Sequence, residues 1–121
     1  MTIKKLDYDL TVCKLPPDAP LHLPEGFFCL ARTDEELSLV CETSAAPDGT
    51  LAWEDGWKAF RIEGVLDFSL VGILARITGV LAGEGIGIFA VSTYNTDYVL
   101  VKQENFDRAL RALEGAGYTA T

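Results

Sequence analysis

Residues 68–101 read FSLVGILARITGVLAGEGIGIFAVSTYNTDYVLV, and the periodicity of this stretch decides what the rest of the chain can be. Leu70, Ile73, Leu74, Ile77 and Leu81 recur at steps of three and four, which predicts one amphipathic helix from about Ser69 to Ala82. Asp67 or Ser69 is suited to cap its start, and Gly83 or Gly85 to end it in the left-handed conformation. Beyond it, IGIFAVS (86–92) and DYVLVK (97–102) are apolar at consecutive positions, as strands packed on both faces are. The polar residues between them form a hairpin turn.

The pattern extends outward in both directions. WKAFRIEG (57–64) alternates like a strand before the helix. ENFDRALRALEGAG (104–117) places Phe106, Ala109, Leu110 and Leu113 on one face of a second helix, with Glu104–Arg108 and Asp107–Arg111 spaced four apart. YTAT closes with a short strand. The sequence from 56 to 121 is therefore strand, helix, strand, strand, helix, strand, the split βαβ order of ferredoxin-like α+β folds.

The first half has strands and no helix. LDYDLTVCKL (6–15) has period two, Pro16, Pro17, Pro20 and Pro24 forbid a regular helix, and FFCLARTDEELSLVCE (27–42) reads as a hairpin around Arg32 to Glu36. Turn chemistry fills Pro47 to Gly56. Sliding the first half by 61 positions lays Phe28–Val40 on Phe89–Val101 with the polar turns coincident, which predicts two copies of one module, 1–55 and 56–121.

A net charge of −8, with no cluster of Lys and Arg, disfavours nucleic acid as a partner. No apolar run approaches the roughly 20 residues of a membrane span, and the first residues do not form a signal peptide, so a cytoplasmic location is expected. Cys13, Cys29 and Cys41 lack metal or redox spacing and read as core thiols, and His22 sits in a Pro-rich loop without ligand partners; no metal and no cofactor is expected. Ser92 and Asp97 lack an intervening base, and GEGIGI follows a helix rather than a strand, so catalytic residues are not expected either.

Phe68–Val101 together with FDRALRALEGAGY resembles the ACT domain, a small amino-acid-sensing module of aspartate kinases and other regulators of amino-acid metabolism. The resemblance is close to tandem ACT proteins such as the CASTOR-type arginine sensors, and it is looser over Leu6–Glu42. It implies two ferredoxin-like modules, the first degenerate and helix-poor, the second a complete βαββαβ. It further implies a ligand held where the turn before the first helix meets a neighbouring module, at Asp67, Ser69, Leu70, Val71, Gly72 and Ile73, and a homodimer.

The chemistry agrees with that implication. A helix N-terminus offers free N–H groups to an α-carboxylate, and Gly72 permits close approach. Asp97 or Asp67 can balance an ammonium, Ser92, Thr93 and Thr96 supply hydroxyls, and Tyr94 can wall the pocket. A structural account competes: Gly72 eases helix packing, Ser69 caps, and the turn residues bond their own backbone. The sequence thus points to a non-catalytic protein binding a small molecule, in the first place an amino acid. The alternative is an ACT scaffold used for dimerisation without a ligand.

Overall fold

The computed structural model describes residues 1–64 and 71–121. Its strands are β1 (Thr2–Leu15), β2 (Phe28–Arg32), β3 (Leu37–Glu42), β4 (Ala52–Ile62), β5 (Phe89–Ser92), β6 (Asp97–Lys102) and β7 (Thr119–Ala120). The helices are α1 (Ile73–Gly83) and α2 (Phe106–Gly115), and short 3₁₀ turns follow β3 and β6 at Thr43–Ala45 and Gln103–Asn105. The fold is α+β, with contacts that divide into two compact units, Tyr8–Trp57 and Met1–Asp7 with Lys58–Thr121.

In the unit of residues 8–57, β3 lies antiparallel between β1 and β2, pairing Val12 with Val40 and Cys29 with Val40. Cys13, Leu15, Leu37, Leu39 and Cys41 make its core, with Ala19, Phe28, Leu30 and Ala46 against them. The Pro-rich connector and the 3₁₀ turn supply that cover, because Pro removes the donors a helix would need. Burial pushes the Cys41 thiol up to about 11, helped by neighbouring Cys13 and Glu42, and raises Cys13 as well.

In the second unit α1 and α2 cover the sheet. Ile77, Leu81, Ala109, Leu110 and Leu113 meet Phe60, Ile62, Val99 and Val101 in one core that also takes Ile3. Each helix ends as the sequence suggests. Gly85 (φ +71°) and Gly117 (φ +102°) turn left-handed, and Ile86 and Tyr118 N–H return to the carbonyls of Leu81 and Leu113 at 3.0 Å.

Several details differ from the sequence expectation. The helix begins at Ile73, later than the expected Ser69, with Gly72 as its cap in the left-handed region (φ +80°) and no side-chain cap bond; Asp67 and Ser69, the expected caps, lie outside the described residues. β4 begins at Ala52, inside the stretch read as a turn, because its first residues are exposed and carry no burial pattern. Arg108 bonds the Glu84 carbonyl at 2.6 Å and Asn105 Oδ1 at 3.2 Å, tying α2 to the end of α1, in place of the expected contact with Glu104. β7 pairs in parallel with β1, through Thr2 and Ile3, and β1 is the neighbour of β4. The first strand therefore enters the βαββαβ unit between the strands that a self-contained module would set side by side.

The two hairpins match in register at an offset of 60 residues, not 61. Arg32 pairs Leu37 as Ser92 pairs Asp97, Cys29 pairs Val40 as Phe89 pairs Leu100, and both 3₁₀ turns start one residue past the second strand. The slip arises because runs of apolar residues match almost as well one position over, whereas ladder hydrogen bonds accept one register.

Candidate functional site

The turn at 92–97 is built from its own hydroxyls. Thr93 N–H donates to the Thr96 carbonyl at 2.9 Å, and the Thr93 hydroxyl donates to that carbonyl at 3.0 Å while accepting from Thr96 N–H at 3.4 Å. Thr96, 6% exposed, donates its hydroxyl to the Ile62 carbonyl at 2.7 Å, which fastens the turn to the end of β4. These two hydroxyls are consumed by the fold, as buried or turn hydroxyls are when the backbone has no other partner.

Ser92 and Asp97 are different. They face each other across the last pair of the β5–β6 ladder, and Ser92 Oγ donates to Asp97 Oδ1 at 2.6 Å. Ser92 is exposed and Asp97 half-buried, so the carboxylate is oriented yet within reach of solvent. Tyr94 at the tip is 79% exposed. Tyr98 is half-buried beside Arg61, whose guanidinium donates to Glu63 at 3.0 Å and is held above its ordinary range by Glu63 and Tyr98.

Of the residues expected at the helix start, Asp67, Ser69 and Leu70 lie outside the described residues. Val71 is 86% exposed. Gly72 is required by its positive φ rather than by crowding, since among the described residues a Cβ there would meet nothing within 4 Å. Its carbonyl accepts Arg76 N–H at 2.9 Å. Ile73 lines a small cleft of about 140 Å³ with Met1, Arg76 and Tyr118. The hairpin residues do not line that cleft, so it does not unite the two halves of the expected site. Arg76, which is not among the residues expected at the helix start, also lines this cleft. It is the one basic residue of α1, one turn past the Gly72 cap, and that spacing was the available signal.

A sequence profile of the ACT domain matches residues 53–115, more than half of the chain. The chain belongs to the ACT-domain family. It is 29% identical over 110 residues to the human protein named cytosolic arginine sensor for mTORC1 subunit 1, and 29% identical over 112 residues to its Pongo abelii counterpart. Those alignments take in 82% and 84% of this chain and 33% and 34% of the relatives, so the chain spans about a third of their length. Among solved structures, a protein from Agobacterium tumefaciens superposes with a TM-score of 0.89 at 29% identity, covering 99% of this chain and 91% of that one. The ligand-free regulatory subunit of aspartate kinase from Thermus thermophilus superposes with a TM-score of 0.67 at 14% identity, covering 95% and 96%, and shares the fold.

Proposed function

We propose that this chain is a non-catalytic regulatory protein that binds a free amino acid. In this reading it consists of two ACT-like modules divided near residue 55, with residues 1–7 lending a strand to the second. The observation that carries the reading is the Ser92–Asp97 pair: an oriented, half-buried carboxylate at the mouth of a turn whose other hydroxyls are already bonded. It would take the ligand ammonium, while the backbone of Leu70 to Ile73, with Arg76, would take the carboxylate. Because the Ile73 cleft lacks the hairpin residues, the two halves would come from different copies in a homodimer. The relatives named as arginine sensors, and the kinship in fold with an aspartate kinase regulatory subunit, support a sensing role in the cytosol. Three free cysteines are compatible with that compartment.

The test is a thermal-shift panel of the common amino acids on the whole chain. A ligand this small binds in the micromolar to millimolar range, and at about one hundred times its dissociation constant it adds roughly 2.7 kcal/mol, several degrees in Tm. Asp97→Asn should abolish the shift and leave the apo Tm nearly unchanged. Gly72 is a poor probe, since any side chain at φ +80° strains the cap.

A second reading, a dimerisation module without ligand, is favoured by the exposure of Val71 and Tyr94 together with the structural use of Thr93 and Thr96. It predicts no thermal shift and a dimer that Tyr94→Asp dissociates in sedimentation.

A further inference from the structure

Thr11 sits in β1 with 1% of its surface exposed, where alternation would tolerate an aliphatic residue. A hydroxyl this deeply buried has to be hydrogen bonded, and Thr11 Oγ1 has two side-chain partners, Asp55 Oδ1 at 2.7 Å and Thr43 Oγ1 at 2.9 Å. A hydroxyl carries one proton. The order that satisfies both contacts has Thr11 donating to the carboxylate and accepting from Thr43. Three oxygens from β1, the turn after β3, and β4 are thus chained together, and the chain fixes where the Asp55 carboxylate stands.

These three residues form part of the wall of a cleft of about 390 Å³ within the unit of residues 8–57. Asp48, Thr50 and Trp53 form more of it. Trp53 precedes Asp55 by two positions on β4, so both side chains leave the same face of the strand. Its indole is 65% exposed, an unusual placement for the largest apolar side chain. Among the described residues, none that lines the cleft is basic. Its charged and polar groups are carboxylates and hydroxyls, beside an aromatic face.

Such a wall selects its ligand by charge. A free carboxylate would meet two like charges and no basic side chain in this lining, which disfavours anions and amino-acid zwitterions. A bare divalent ion wants more oxygens in a closed arrangement, and among the described residues no three His, Cys, Asp or Glu side chains are grouped to hold one. An organic cation meets the whole set: carboxylates for its charge, hydroxyls for its N–H groups, and an indole face for the cation itself.

We propose that this cleft binds a small organic ammonium ion, with its charge on Asp55 and Asp48 and its alkyl part against Trp53. The site shares no residue with the amino-acid site proposed above, and either can fail without the other. The hydrogen-bonded Thr43–Thr11–Asp55 chain sets the carboxylate before the ligand arrives, so little ordering remains to be done on binding.

Trp53 is its own reporter. Trp57 is 8% exposed, so acrylamide quenching of the emission of the whole chain reads mainly Trp53. Butylamine and tetramethylammonium, each titrated to about 50 mM at constant ionic strength, should protect Trp53 from the quencher about twofold, in keeping with the weak affinity of so few atoms. Butanol, butyrate and magnesium should not. Asp55→Asn should weaken both probes about tenfold, one decade of affinity, as loss of a direct charge contact does. Asp48→Asn leaves the Thr11 bond untouched, so it separates binding from folding, and it should weaken them severalfold. Protection by butanol or magnesium equal to that by the amines, absence of protection by either amine, or unchanged binding in folded Asp48→Asn would each overturn the proposal.

Discussion

The hairpins at 28–42 and 89–102 turn on the same hydroxyl. Thr33 N–H donates to the Glu36 carbonyl at 2.8 Å, and Thr33 Oγ1 accepts from Glu35 and Glu36 N–H at 3.1 and 3.0 Å, as Thr93 serves Thr96 sixty residues on. Around that similar turn the two hairpins diverge. The last ladder pair is Arg32 and Leu37 in one and Ser92 and Asp97 in the other. Arg32 reaches the Pro17 carbonyl at 3.0 Å and pins the connector, whereas Ser92 orients a carboxylate. Glu36 is exposed where Thr96 is buried on Ile62. Positions alike in both hairpins carry the turn, and those that differ are the ones free to serve a task of their own.

The largest test of this comparison lies in the cores behind the hairpins. Leu81→Ala, in the helix-covered core, should cost about 4 kcal/mol in urea unfolding, and Leu39→Ala, under the connector, about 2 kcal/mol. Equal losses would mean that the helix-poor unit is packed as tightly as the other. Next comes alkaline pH. The folded Cys41 thiol holds its proton to about pH 11 against an ordinary 9.0, so its contribution is complete below pH 9 and is lost as pH rises toward 11, a loss on the order of 2 kcal/mol. Val101 occupies the equivalent place in the other hairpin, and Cys41→Val should flatten the alkaline slope of stability.

Smaller effects separate the turns. Thr96→Val deletes the buried bond to Ile62 and should cost about 1–2 kcal/mol, while Glu36→Ala at the matching position should stay within about 0.5 kcal/mol. Thr33→Ala and Thr93→Ala should each cost about 1 kcal/mol by thermal unfolding. A difference well beyond that between the two would break the claim that the turn is common property.

The elements were legible where periodicity is strong. Alternation through Tyr8, Leu10 and Val12 marked β1, although its exposed and charged start at Lys4 and Lys5 hid four more residues of strand. The Phe106, Ala109, Leu110 and Leu113 stripe placed α2, and Gly85 and Gly117 marked both helix ends. What failed depended on partners distant in sequence. The offset between the two hairpins is fixed by ladder bonds, the start of β4 by its neighbours in the sheet, and the fate of Thr96 by the Ile62 carbonyl, 34 positions away. The site was legible only as residue types. Sequence gathered Ser92, Thr93, Thr96 and Asp97 into one hydroxyl-rich group, and hydrogen bonding divides them into turn builders and a carboxylate pair. No short-range pattern announces the Thr11, Thr43 and Asp55 chain, because its members lie 32 and 44 positions apart.

The entry of β1 beside β7 has a consequence for biogenesis. Thr119 N–H donates to the Met1 carbonyl, and Thr121 exchanges bonds with Ile3 and Lys5, so segments more than a hundred positions apart are matched, and a ribosome makes the first long before the second. Ile3, fully buried in the finished core, stays in water while the intervening residues are made. Closing so long a loop is a slow, high-contact-order step. Nascent chains stalled before residue 118 has emerged should therefore be protease-sensitive throughout the helical unit, and pairing of residues 119–121 with 1–5 should act as the latch that completes it.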